Sequence, residues 1–149
     1  MRALFSKQTH VSYQIDVCKR TKTMSEKMTK RFQIYFDPWY RVLSFLVGLP
    51  PSGAYIELSE DQVKVRMSWA FRSRFPRSAV SEVSVVSKKP LSRGVHGFCG
   101  RWLVNGSGKG ILSIKLNPVQ RAYVMGFPVR LKELLISVEN PSEVVEILR

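Results

Sequence analysis

Two glycine-rich stretches hold the residue types most able to do chemistry. The first is Asn105-Gly-Ser-Gly-Lys-Gly110. Glycines beside a lysine can cradle a phosphate, because open backbone N–H groups and an ammonium both favour an anion. A phosphate loop, however, requires G-x-x-x-x-G-K-[ST] between a strand and a helix. Counting back from Gly108-Lys109, the first glycine falls on Leu103. Residue 110 is Gly rather than Ser or Thr, and Ile111 to Leu116 alternates like a strand. The stretch reads instead as a hairpin connection between Trp102-Leu103-Val104 and Ile111-Leu112, since Asn-Gly and further glycines tolerate positive φ. Lys109 at its tip is a candidate anion contact.

The second stretch runs from Lys88-Lys-Pro-Leu-Ser-Arg93 into Gly94-Val-His-Gly-Phe-Cys-Gly100. It reads as a loop longer than a simple turn, the kind of segment on which function tends to sit. Lys88, Lys89, Arg93 and Arg101 place charge around it, and His96 adds a hydrogen-bond donor. One reading is an anion-binding loop. The other is a chain crossing accommodated by glycine, with a solvated basic rim. His96 and Cys99 have the types of a base and a nucleophile. The loop contains no acidic residue to orient the histidine, so no catalysis is expected.

A third group of cations depends on an element for its arrangement. From Val63 every second residue is apolar, through Val65, Met67, Trp69, Phe71 and Phe75, with Ser73 interposed. Period two means a half-buried strand. Thirteen such residues would extend about 43 Å, longer than most strands, so a bend near Ser68 is expected. With one face inward, Lys64, Arg66, Arg72 and Arg74 share the outer face, and Arg77 extends the group. Arg72 and Arg74 join the candidate anion contacts.

The other elements follow the same logic. Asp37-Pro38 is a helix start, with Asp as N-cap and Pro at the first helical position. Gly48 followed by Pro50 and Pro51 is a stop. Trp39, Val42, Leu43, Leu46 and Val47 lie at helical spacing between them. This helix is expected to pack against the sheet, the other reading being a helix lying on a membrane with Arg41 as its only cation. Phe32–Phe36, Ala54–Leu58, Val80–Val86, Leu112–Leu116 and Leu134–Val138 read as strands. Repeated short strands indicate a sandwich or barrel. A final helix starts at Asn140-Pro141, with Glu143 in a box-like position and Val144, Val145 and Leu148 as its apolar stripe.

The chain has 149 residues and a net charge of +13. Residues 1–31 hold eight Lys/Arg against Asp16 and Glu26, nearly half the excess, with little apolar periodicity. They read as a basic, disordered tail, and Met24 and Met28 mark where an upstream start-site extension would end. The functional alternative is a basic arm touching phosphates. Residues 32–149 form one domain, large enough to be stable without a disulfide or metal. Cys18 and Cys99 read as reduced thiols, and with His10 and His96 they make no metal-ligand spacing. No metal or cofactor is expected. No run of 18 apolar residues and no signal-peptide core is present, so a cytoplasmic protein, or one peripheral to the membrane, is the default expectation.

The order of a strand-rich region closed by one C-terminal helix resembles the pleckstrin-homology-like (PH-like) superfold, in particular small bacterial PH-like proteins. The residues that carry the resemblance are Val63-Lys-Val-Arg-Met-Ser-Trp-Ala-Phe-Arg72 and Phe75-Pro-Arg-Ser-Ala-Val80, with Gly94 to Gly106 and Leu135-Ile-Ser-Val-Glu-Asn-Pro141. The resemblance covers residues 32–149. It implies a mainly β (α+β) fold, a bent barrel of about seven antiparallel strands, with a short N-terminal helix and a C-terminal helix plugging one end. It implies no catalytic residue set. It allows a non-catalytic binding or scaffolding module acting on a protein partner or an anionic membrane surface. Nucleic-acid or other polyanion binding through the tail and the basic strand face is the alternative. Trp39, Trp69 and Trp102 read as core-facing, which leaves that alternative without a stacking platform.

Overall fold

The computed structural model describes residues 28–149. The expected tail lies mostly outside the described residues, and the first strand begins within that segment, at Lys30. Nine strands and two short helices make up the rest: β1 (Lys30–Gln33), α1 (Pro38–Leu46), β2 (Ala54–Leu58), β3 (Gln62–Met67), β4 (Phe71–Pro76), β5 (Val80–Val86), β6 (Gly94–Phe98), β7 (Arg101–Asn105), β8 (Ile111–Val124), β9 (Phe127–Ser137) and α2 (Pro141–Leu148). Single 3-10 turns precede β2 and β5.

The strands form one sheet in the order β1-β2-β3-β4-β8-β9-β7-β6, with β5 attached to β8. The two long strands give the sheet its shape. The first part of β8, Ile111–Leu116, pairs with β5 on one side and with the end of β9 on the other. A register shift between Lys115 and Gln120 ends that ladder, and Gln120–Val124 then pairs with the start of β9 while Ala122–Val124 pairs with β4. The β1–β4 half and the β5–β7 half are thus joined through β8 and β9.

The expected bent barrel of about seven antiparallel strands is not what forms. The sheet has more strands, β7 runs parallel to β9, and the sheet is not closed into a barrel. The segment that follows β1 meets the residues after β9 and β7 through isolated bridges, Ile34 to Val138 and Phe36 to Gly106, and neighbouring backbone hydrogen bonds. The chain beyond β1 crosses the far half there instead of joining it in a ladder.

Period-two alternation positions the core. Val63, Val65 and Met67 of β3 and Phe71 and Phe75 of β4 point inward against Leu112, Ile114, Leu134 and Ile136. Burial of side chains this size contributes about 1.5–3 kcal/mol each. Helix α2 buries Val144, Val145 and Leu148 in the same cluster. The expected bend falls at Ser68, whose φ of 49° turns the chain between β3 and β4.

Neither expected side-chain cap forms. Asp37 and Asn140 occupy the N-cap positions without capping through their side chains. Asp37 directs its carboxylate elsewhere, and Glu143 pairs with Lys30 at 3.1 Å instead of reaching back to the cap.

Helix α1 departs further from expectation. It does not bury its apolar stripe against the sheet. Only Ser44 is buried, its hydroxyl donating to the Arg41 carbonyl at 3.0 Å. Trp39, Val42, Phe45 and Leu46 are 61%, 66%, 70% and 76% exposed. Tyr40, stacked on Phe36, is the residue of α1 that touches the core.

Candidate basic surface and the Asp37 network

The outer face of the β1–β4 half is a field of cations. Strand register sets Lys64 opposite Arg74 and Arg66 opposite Arg72. Across the next strands, Arg121 lies opposite Arg130. Because Ser73 pairs with Ala122 on the buried side, Arg72, Arg74 and Arg121 share the exposed side. Arg31 extends the field on β1. Like charges directly opposite each other on a sheet destabilise it. Glu57 lies 4.0 Å from Lys64. Among the described residues, no carboxylate comes within ion-pair distance of Arg66, Arg72, Arg74, Arg121 or Arg130.

Two tyrosines interleave with these cations. The Arg31 guanidinium lies 3.5 Å from the Tyr55 ring centre, and Tyr55 is buried. Arg72 lies 4.9 Å over Tyr123. Each guanidinium lies over its ring at cation–π distance. A groove of about 220 Å³ runs between Lys64, Arg66, Arg72, Arg74 and Tyr123.

The other sequence-derived candidates lie elsewhere and do not form one loop site. Gly94–Phe98 is strand β6, not an irregular loop, and it pairs with β7 through a two-residue turn at Cys99-Gly100. Both turn residues have positive φ, 53° and 88°, as a type I′ turn requires. Asn105 to Gly110 is not a hairpin either. It joins β7 to β8, which are not hydrogen-bonded neighbours because β9 lies between them.

Arg93 is spent on structure. Its Nε and Nη2 donate to Asp37 Oδ2 at 3.1 and 2.9 Å, and its Nη1 donates to the Pro90 and Leu91 carbonyls. The Ser107 hydroxyl donates to Asp37 Oδ1 at 2.7 Å and accepts from the Lys109 backbone N–H. Burial raises the Asp37 carboxyl pKa, but hydrogen bonds from Ser107 and Arg93, with the charges of Arg93 and Lys109, outweigh it and hold the pKa below its ordinary value. Asn105 donates to Ser92 and Ser107 carbonyls. This network ties the start of α1 to the 88–93 loop and to the 105–110 connection, where Lys89 and Arg93 lie beside Gly108.

His96 Nε2 lies 2.6 Å from the Arg93 carbonyl. A carbonyl only accepts, so that nitrogen carries the proton and donates. Arg101, at the far end of the β6–β7 hairpin, pairs with Glu133 at 3.0 Å. Lys88, Lys89 and Lys109 are exposed on the loops. Of the eight sequence candidates, Arg72 and Arg74 share the basic sheet face. Lys89, Arg93 and Lys109 gather around Asp37 and Gly108. His96 and Arg101 are engaged along one hairpin.

Sequence reasoning counted Arg31 with the tail rather than the sheet face and missed Arg121 and Arg130. Their contribution depends on which strands become neighbours, which alternation alone does not supply. It also placed the tryptophans inward. Trp39 and Trp69 are exposed, because Trp69 sits on the β3–β4 turn and not in either strand. No family model matches the chain, and no curated protein or solved structure matches it.

Proposed function

We propose that the chain is a non-catalytic binding module of PH-like type that docks on an anionic surface through the outer face of β1–β4 and the adjoining ends of β8 and β9. The observation that carries this reading is the set of three like-charge cross-strand pairs, Lys64–Arg74, Arg66–Arg72 and Arg121–Arg130. A sheet face that tolerates such repulsion in isolation is relieved when an anion covers it. Each cation near an anionic membrane contributes about 1 kcal/mol. The PH-like part of the reading is supported by helix α2, whose apolar stripe closes the core at the end of the chain.

A base-stacking nucleic-acid reading is less well supported. Between the cations Tyr55 is buried under Arg31 and Arg72 covers Tyr123, and the open aromatic side chains Trp69 and Phe127 lie at the edge of the field rather than among its cations.

The test is co-sedimentation of the full chain with phosphatidylserine-containing and neutral vesicles, beside binding to single- and double-stranded oligonucleotides. The Arg72→Glu/Arg74→Glu variant should lose binding to the anionic vesicles and remain folded. Equal binding of variant and parent would refute the basic-face reading.

A further inference from the structure

The basic face ends at an apolar rim built from three separate parts of the chain. The β3–β4 turn carries Trp69, the β8–β9 turn carries Met125, and β9 opens on Phe127, all more than half exposed. The turns are tied together, since the Met125 N–H donates to the Ala70 carbonyl at 3.0 Å. The end of α1 joins them, because Trp69 Nε1 donates to the Gly48 carbonyl at 2.9 Å. Leu46 and Val47, just before Gly48, are exposed beside it. Residues 45–53, 67–71 and 124–128 contain no charged side chain. Immediately behind this rim stand Arg66, whose Nε donates to the Ser68 carbonyl, and Arg72, stacked on Tyr123.

The geometry points to insertion of this end into an anionic lipid bilayer, with α1 and the two turns in the headgroup layer and the arginines against lipid phosphates and carboxylates. The inference rests on the anionic-surface reading above and names the surface. An apolar helix face and apolar turn tips flanked by cations match the layered chemistry of a bilayer boundary, apolar below and anionic above. Helix α1 is about 14 Å long, so it can lie in the interface but not cross it. Its single cation, Arg41, is no obstacle, because the neighbouring sheet supplies the charge. A second copy of the chain is a poorer occupant. A two-fold contact through this rim would bring the Arg66 and Arg72 clusters of both copies together, and residues 45–53, 67–71 and 124–128 offer them no carboxylate.

The experiment uses the full chain with phosphatidylserine–phosphatidylcholine vesicles carrying brominated acyl chains. Insertion predicts quenched tryptophan emission and binding that persists in part at high salt. The Met125→Ser/Phe127→Ser variant, which leaves the Trp69 hydrogen bond in place, should keep its thermal unfolding transition. Its vesicle affinity should fall about tenfold or more at low and high salt alike, since two large apolar side chains no longer leave water. Unquenched emission, with binding abolished by salt and unchanged in the variant, would overturn insertion while leaving the charged docking face intact. Binding to oligonucleotides without binding to vesicles would likewise remove the bilayer and keep the basic face. Binding to neither class would remove both readings. A dimer in sedimentation velocity that the variant dissolves would make the rim a self-interface and overturn insertion.

Discussion

Asp37 and Arg93 are 56 positions apart in the chain, yet two guanidinium nitrogens of Arg93 bond the same Asp37 oxygen at 2.9 and 3.1 Å. The pair is part-buried and fastens the start of α1 to the loop before β6. Removing one partner leaves the other charge poorly solvated, which is costly. Arg93→Ala should destabilise the fold by about 2–3 kcal/mol. For a domain of this size that is a fall in Tm of roughly 10 °C. Anionic-vesicle binding by the folded variant should fall far less than in Arg72→Glu/Arg74→Glu, because Arg93 lies away from the basic sheet face and acts only by tethering the start of α1. Thermal unfolding followed by circular dichroism, beside co-sedimentation, checks both parts.

The same contact makes stability depend on acidity. Asp37 has a pKa held below its ordinary value of 3.8 in the fold. The unfolded chain therefore takes up this proton first as pH falls. The stabilisation is complete above the ordinary value and drains away as pH drops through the lower folded value. Asp37→Asn should remove this component. Its Tm should start lower at neutral pH and decline less steeply than the parent's below pH of about 4. Parallel Tm–pH curves would refute the assignment.

The basic face sets stability against binding. Arg74 stands opposite Lys64, which already has Glu57 nearby. Arg74→Thr removes a like-charge pair and installs a good strand former. Stability should stay level or rise by a few tenths of a kcal/mol, about the size of such cross-strand terms. Affinity for anionic vesicles should nevertheless fall about fivefold, the loss of one surface cation. Denaturant titration and vesicle binding on the same sample separate the two effects.

Much of the fold is readable in the residues, and its failures have physical causes. Period two from Val63 to Phe75 defines β3, β4 and their shared cationic side, because every second side chain must avoid water. The end of α2 follows from Val144, Val145 and Leu148. Strand β6 is misread because Gly94 and Gly97 look like loop residues. Gly97 is in fact the strand position that lets the Trp102 ring lie across the hairpin, within 2.4 Å of where a Cβ would stand. Helix α1 is misread because an apolar stripe at helical spacing says that a face avoids water, not what covers it. The field of arginines needs strand neighbours to be known, and β8 joins β4 across more than forty residues of chain.

The connection from β7 to β8 gives the sharpest test of backbone requirements. Gly110 has φ of 64°, and a Cβ there would stand 2.4 Å from the Val138 carbonyl oxygen. The Val138 N–H also donates to the Gly110 carbonyl at 3.0 Å, so the two backbones cannot separate freely. Gly126, on the β8–β9 turn, has φ of 87° and open space around it. Gly110→Ala must meet both the left-handed strain and a backbone clash, whereas Gly126→Ala meets the strain alone. The first should cost about 2–4 kcal/mol and the second about 1 kcal/mol. Chemical denaturation of both variants measures the difference. Equal losses would mean that the 106–110 connection moves away from Val138 without cost, and that its tie to the end of β9 contributes nothing to the fold.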